Sequence, residues 1–203
     1  MVTMVPVLER WVVVECPFWA VEPGPFHPAV SRTPTPGEVG ALAWALIGRV
    51  DDVAEAVDAA EAVDAFLAYD DDHFSVPGGL RITSDGVVVE PGCCVGLEEW
   101  RDWVDVLAGR VIWLGHSPDV QVEQLGPVVR VWCDEDLTNP GFTGPHVDLQ
   151  RDALPGLLED VRRDLLGFLD ALGEWARVTV PAHADRLVEA VDRRLVISPP
   201  LDL

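Results

Sequence analysis

The sequence contains no lysine. All 14 basic residues are arginines, and 35 aspartates and glutamates outnumber them, which gives a formal net charge of −21 and an isoelectric point near 4.3. Proteins bind nucleic acids and anionic membranes mainly through Lys and Arg, so this composition argues against a nucleic-acid or a membrane partner. A strong negative field instead accelerates encounters with cationic molecules. We therefore expect a basic protein partner, with acidity that serves only solubility as the alternative.

The chain also lacks a long apolar run and a secretion signal. The N-terminal apolar stretch contains Glu9, Arg10 and Glu15, and no basic region precedes it. A membrane span would need about 18 or more consecutive apolar residues, which are absent. The few cysteines do not amount to a disulfide scaffold, and they are Cys16, Cys93, Cys94 and Cys133. From these absences we expect a cytoplasmic protein.

Apolar residues are abundant, at 49% of the chain, and the mean hydropathy is +0.19. Burial of so much apolar surface offsets the ordering entropy of folding, which excludes a wholly disordered chain. A length of 203 residues fits one domain. Predicted strands follow strands and helices follow helices, which favours an α+β fold. We predict a single domain over 1–203, with a mostly antiparallel sheet covered by helices.

Local signals predict the individual elements. The run Thr35-Pro36-Gly37-Glu38 has the spacing of a capping box, and it predicts a helix that ends at Gly48. Asp85-Gly86, between two β-prone runs, predicts a two-residue hairpin turn. Residues 16–36 contain six prolines and several aromatics, which predicts a loop packed on the body of the protein. Further predictions are strands at 5–15, 110–114, 120–125 and 127–133, helices at 96–108, 154–177 and 182–196, and no regular element over 134–149.

A second helix is predicted from Asp51 or Asp52 to about Leu67, with Val57 among its core-facing residues. Acidic residues recur every three positions on its other faces, and no arginine lies between Asp51 and Asp72. Such like charges destabilise a helix by a few tenths of a kcal/mol per pair, so a partner-recognition face would account for them. Cation binding and a merely solvated face are the alternatives. The predicted partner-binding residues are Asp52, Glu55, Asp58, Glu61, Asp64, Asp70, Asp71 and Asp72.

A cysteine pair follows the predicted hairpin, in the run Pro91-Gly92-Cys93-Cys94-Val95-Gly96. Its Gly-x-Cys-x-Gly pattern matches a nucleophile elbow with cysteine in place of serine, and a helix N-terminus would lower the pKa of the thiol. The alternative function is therefore a small cysteine-dependent enzyme with Cys94 as nucleophile. An elbow requires a parallel strand and an oxyanion hole, which the sequence does not indicate, so buried, unreactive cysteines are the preferred interpretation. The downstream candidates for a base are His116, His146 and His183.

Metal ligands are present without a diagnostic spacing. Cys93, Cys94, Cys133 and His116 can meet only through the tertiary structure, because no C-x-x-C or H-x-x-x-H pair occurs. Residues 134–139 resemble the start of a calcium loop, but the loop lacks its glycine at position six and its glutamate at position twelve. Residues 70–73, three aspartates and a histidine, are equally unspecific. We therefore assign no metal site and no cofactor.

Four short segments carry a resemblance to uncharacterised actinobacterial acidic proteins with a PGCC-x-GLE-x-W pattern. They are 79–82, 91–100, 115–118 and 131–132, within about a third of the chain. The resemblance implies no site residues, because that group has no established activity. Small acidic proteins of this kind are similar in character to bacterial immunity proteins, which neutralise toxins. We therefore expect a cytoplasmic protein that neutralises a basic protein partner, with a toxin as the leading candidate.

Overall fold

The computed structural model describes residues 1–10, 15–70, 74–133 and 144–203. Within these ranges, the chain forms six strands, five α-helices and several short 3₁₀ helices. The strands are β1 (Thr3–Leu8), β2 (Gly78–Ser84), β3 (Val87–Val89), β4 (Gln121–Leu125), β5 (Val128–Trp132) and β6 (His146–Gln150). The α-helices are α1 (Pro36–Ile47), α2 (Ala59–Ala68), α3 (Trp103–Leu107), α4 (Leu154–Thr179) and α5 (Ala184–Leu195).

The strands form two three-stranded sheets, with the orders β1-β2-β3 and β4-β5-β6. Strands β2 and β3 pair antiparallel, as do β4 with β5 and β5 with β6. The predicted α+β class with mostly antiparallel pairing is confirmed. The strands are divided between two small sheets, whereas the sequence predicted one.

The chain divides into two compact units. The first comprises Met1–Val7, Pro77–Arg162 and Pro200–Leu203, and it contains strands β2 to β6. The second comprises Leu8–Val76 and Arg163–Pro199, and it contains α1, α2 and α5. The single domain over 1–203 stays a prediction.

The hairpin of the first unit confirms the turn that the sequence predicts. Ser84 pairs with Val87 across the two-residue turn. Asp85 and Gly86 have φ angles of 50° and 84°, the positive values that a type I′ turn requires at both positions. The strands predicted at 120–125 and 127–133 are also confirmed as β4 and β5. Strand β6 was not predicted. Its sequence alternates apolar and polar residues, which is the pattern of a half-buried strand, but only over five residues.

Residues 97–107 form a 3₁₀ helix, Leu97–Asp102, followed by the short α3, instead of the predicted continuous α-helix. Their fully buried side chains are Leu97, Trp100, Trp103 and Val106. A spacing of three matches the three residues per turn of a 3₁₀ helix, whereas the predicted stripe assumed a period of 3.6. The strand predicted at 110–114 is absent from the structure, where those residues have no regular conformation.

Helix α1 begins with the predicted capping box. The Thr35 hydroxyl accepts from the Glu38 amide, and the Glu38 carboxylate accepts from the Thr35 amide. The loop 16–36 packs on this helix: the Trp19 indole donates to the Gly40 carbonyl at 2.9 Å, with its ring edge-on to that of Trp44. Helices α4 and α5 confirm the predictions at 154–177 and 182–196.

Candidate functional site

The acidic residues 51–64 do not share one helix. Asp51–Glu55 form a 3₁₀ helix, and α2 begins only at Ala59. The prediction of one continuous helix from Asp51 or Asp52 to about Leu67 is therefore wrong. The break lies at Asp58, whose extended backbone (φ −148°, ψ 175°) places it at the N-cap of α2. Aspartate competes for backbone amides outside helices and favours the N-cap, which explains why a new helix starts here.

Two of the predicted partner-binding residues hold the start of α2. The Asp58 carboxylate accepts hydrogen bonds at 2.9 Å from the amides of Ala60 and Glu61. The Glu61 carboxylate accepts at 3.0 Å from the amide of Val57, which lies just before the cap. Both carboxylates lie near the N-terminus of α2, where the positive end of the helix dipole interacts favourably with negative charge. Their first role is therefore to stabilise α2.

Asp64 contacts two residues at the N-terminal end of α5. Its two carboxylate oxygens lie 3.1 Å from His183 Nε2 and 3.5 Å from Arg186 Nη1. The sequence predicted unpaired acids because α2 and its flanks contain no arginine. His183 and Arg186, which lie 119 and 122 residues further along the chain, supply the partners instead. Asp64 is therefore part of the contact between α2 and α5, although half of its side chain stays exposed.

Asp52 and Glu55 fit the predicted recognition role. Both are exposed on the 3₁₀ helix, and neither forms an ion pair with any residue that the structure describes. Val57, predicted to face the core, is 80% exposed beside them because the helix is broken at this point. Asp70 is exposed after the end of α2, and Asp71 and Asp72 lie outside the described residues. We call Asp52, Glu55 and Val57 the acidic edge.

The arginines are engaged in internal contacts. Several pair with carboxylates, as in Arg32–Asp164, Arg49–Glu9, Arg81–Glu90, Arg110–Asp105, Arg130–Asp148 and Arg177–Glu174. Others donate to backbone carbonyls, namely Arg10, Arg101, Arg151 and Arg194. The positive charges therefore have specific internal partners, and the 35 acidic residues outnumber the 14 arginines. The field around the molecule is consequently that of a polyanion.

A second candidate site is formed by Cys93, Cys94 and His116, which we call the cysteine–histidine cluster. All three side chains are exposed, and their ligand atoms lie within 4.8 Å of one another. The two Sγ atoms are 3.2 Å apart. The expectation of buried cysteines is therefore wrong for this pair. The sequence indicated these three residues and Cys133 as candidate metal ligands. The half-buried thiol of Cys133 instead contacts the Val88 carbonyl.

Backbone contacts position the cysteine–histidine cluster. The amide of Cys93 donates to the carbonyl of His116 at 2.6 Å, and the amide of His116 donates back at 3.0 Å. A Cβ added to Gly92 would lie 2.6 Å from the His116 nitrogen, and one added to Gly115 would lie 2.6 Å from the Cys93 oxygen. Only glycine allows the two segments to approach so closely.

The nucleophile elbow is only partly supported. Cys94 has a φ angle of 68°, a strained conformation of the kind found at elbows. However, the preceding strand β3 is antiparallel to β2, and the next helix is a 3₁₀ helix that begins three residues later, at Leu97. The thiol is therefore not at an α-helix N-terminus. Of the other suggested metal sites, 134–139 lies outside the described residues, and so does 70–73 except for Asp70, which is exposed.

Two carboxyl groups outside the predicted sites, those of Glu99 and Asp102, have raised pKa values. Partial burial raises the pKa of Glu99, and the neighbouring charges of Glu98 and Asp102 raise it further. Partial burial likewise raises the pKa of Asp102, with a contribution from Asp105. Glu99 and Asp102 line a cavity of about 20 Å³ beside Trp100. Such a volume holds about one water molecule, so the cavity is too small for a substrate.

In the described parts of the chain, no helix combines the length and the apolar character needed to cross a membrane. Comparison with protein-family models, with curated proteins and with solved structures finds no significant match to this chain. The two candidate sites therefore stand on their own geometry: the acidic edge in the second unit and the cysteine–histidine cluster in the first.

Proposed function

We propose that this protein binds and neutralises a basic protein partner, as an immunity protein of a bacterial toxin system does. The observation that carries the proposal is the imbalance of charge: the net charge is −21, and most arginines have internal partners. Asp52 and Glu55 are exposed without an ion pair among the described residues, so their charges are available to a partner. The neighbouring Val57 supplies apolar surface within the same edge.

Electrostatics explains how such a surface works. A toxin that cleaves nucleic acid needs cationic residues around its active site to bind phosphates. A polyanionic protein is attracted to that surface over a distance set by the Debye length, about 10 Å at 0.1 M salt. The attraction raises the association rate, and covering the cationic surface excludes the nucleic acid. A cytoplasmic location is part of the proposal, and four cysteines in 203 residues, too few for a disulfide scaffold, fit a reducing compartment.

The proposal is tested with the products of the reading frames that flank this gene. Each product is expressed in a bacterial host with and without the present chain, and growth is measured. We expect one flanking product to be basic and toxic, and its toxicity to disappear when the chain is co-expressed. If no flanking product is toxic and none binds the purified chain, the proposal is wrong.

A charge variant then tests the acidic edge. We expect Asp52→Asn/Glu55→Gln to lower the association rate with the toxic product by about threefold or more, and an increase from about 0.05 M to about 0.5 M NaCl to lower it further. The matched control, Asp152→Asn/Asp202→Asn, removes the same charge from exposed positions of the first unit. Equal rates for the two variants would show that the acidic edge is not the recognition surface.

The cysteine-dependent enzyme remains a second candidate because Cys94 and His116 lie in one exposed cluster. In such an enzyme, His116 would take the thiol proton and the Cys94 thiolate would attack an electrophilic substrate. Iodoacetamide at neutral pH tests this reactivity in the folded protein, with mass spectrometry to locate the label. Rapid labelling of Cys94 that His116→Ala slows would support the enzyme. Labelling no faster than that of a free thiol would exclude it.

A further inference from the structure

We propose that the cysteine–histidine cluster binds one Zn²⁺ ion, through the Sγ atoms of Cys93 and Cys94 and one ring nitrogen of His116, with a fourth position open to solvent. Two thiolates and an imidazole are ligands that zinc prefers, whereas calcium and magnesium require oxygen ligands. The site does not depend on the partner-binding proposal, because no residue of the acidic edge takes part in it.

The distances suit a tetrahedral ion. Zinc lies about 2.3 Å from sulfur and about 2.0 Å from nitrogen, which sets the two sulfurs about 3.8 Å apart and each sulfur about 3.5 Å from the nitrogen. The two Sγ atoms are 3.2 Å apart, and all the candidate ligand atoms lie within 4.8 Å of one another. Side-chain rotations that move the ligand atoms by about 1 Å therefore suffice to reach zinc geometry, with no change in the course of the backbone.

The backbone conformation favours convergence of the three ligands. Consecutive residues of an extended chain point to opposite sides, which would separate two adjacent thiols. The positive φ of Cys94, 68°, interrupts the extended course, and the two thiols lie in contact instead. The reciprocal hydrogen bonds between Cys93 and His116 bring the third ligand to the same place from 23 residues away. Strained residues of this kind are often found at binding sites.

Exposure and charge favour entry of the ion. All three side chains are exposed, so the ion reaches the cluster directly from solvent. The net charge of −21 raises the local concentration of cations around the molecule. Three protein ligands and an open fourth position are the arrangement of catalytic zinc sites, in which the ion lowers the pKa of a bound water to about 7. The site would accordingly accept one small anionic or thiol ligand.

Metal titration of the full-length chain tests the proposal. The protein is stripped with a chelator, kept reduced with a phosphine and titrated with Co²⁺, which reports thiolate ligands through an ultraviolet charge-transfer band. We expect one Co²⁺ per chain and stoichiometric displacement by Zn²⁺. Cys94→Ser and His116→Gln should each weaken Zn²⁺ binding by more than about 100-fold, because loss of even an outer-shell partner costs about 10- to 100-fold. Cys133→Ser is the matched control, and it should bind as tightly as the wild type.

Several results would overturn the zinc site. They are the absence of a thiolate band, a band that persists unchanged in His116→Gln, or a site that takes Cu⁺ but no Zn²⁺. A disulfide between the two adjacent cysteines that survives the reductant would overturn it as well. Circular dichroism of each variant separates loss of ligand from loss of fold. Asp52→Asn/Glu55→Gln should retain zinc binding, and Cys94→Ser should retain binding to the toxic product, so the two proposals fail independently.

Discussion

Arg194 on α5 provides a direct test of how the acidic helix α2 is stabilised. The residue is 7% exposed, and its guanidinium donates to the carbonyls of Phe66 at 3.0 Å and Tyr69 at 2.7 Å, where α2 ends. Its Cζ atom also lies 4.3 Å from the ring centre of Phe66 and 4.8 Å from that of Phe74. Helix α2 has no basic residue in its own last turn, so α5 supplies the cation that its C-terminal dipole favours.

The expected effect of Arg194→Ala follows from these contacts. Each hydrogen bond from the charged guanidinium contributes about 1.5–3 kcal/mol, and loss of the cation–π contacts adds about 1 kcal/mol. Part of this loss is offset because the variant no longer buries a charge. We expect the free energy of unfolding to fall by about 3–5 kcal/mol, a large share of the roughly 5–15 kcal/mol typical of a folded protein. Arg194→Lys should lose about half as much, because a single ammonium cannot reproduce the two-pronged guanidinium contact.

Urea unfolding followed by circular dichroism measures the total loss, and amide hydrogen exchange shows whether α2 opens first. Arg177→Ala is the matched control, because Arg177 is 57% exposed in an i,i+3 ion pair with Glu174. Such an exposed pair contributes less than about 1 kcal/mol. If Arg194→Ala and Arg177→Ala differ by less than about 1 kcal/mol, the argument that α5 stabilises the end of α2 is refuted.

Three further predictions concern the cap of α2, the glycine contact of the cluster and the raised pKa of Glu99. Asp58→Ala should lower the free energy of urea unfolding by about 1 kcal/mol, whereas Asp58→Asn, which keeps the cap, should lower it much less; equal losses would contradict the capping role. Gly115→Ala should destabilise the protein more than Gly109→Ala in thermal unfolding, because both have positive φ but only Gly115 lies against facing backbone; equal losses would mean that the close approach is unimportant. The pKa of Glu99 is raised in the fold, so the folded state holds its proton more tightly and stability falls as pH rises from the ordinary value of 4.5 through the raised one. Glu99→Gln should therefore flatten the pH dependence in that window and stabilise the protein at neutral pH, and an unchanged pH profile would contradict the shift.

Signals contained within a few residues were predictable. The capping box at Thr35 and the Asp85-Gly86 turn each depend on backbone groups a few residues apart, so the sequence carries all their determinants. The amphipathic pattern of α4 and α5 was equally readable. The break at Asp58 also has a local cause, because an aspartate is a favoured N-cap residue. The regular spacing of the acidic residues predicted one continuous helix face instead, whereas Asp58 caps a new helix.

Contacts between residues that are distant along the chain depend on tertiary packing. Asp64 meets His183 and Arg186 only because α5 lies against α2, and no local pattern encodes that contact. Cys93 and His116 likewise meet through a backbone bridge between loops that glycine alone permits. Composition is sufficient to predict a polyanion, since charge adds up whatever the fold. Which carboxylates stay unpaired and which thiols converge depends on distances across the folded chain, and these exist only once it has folded.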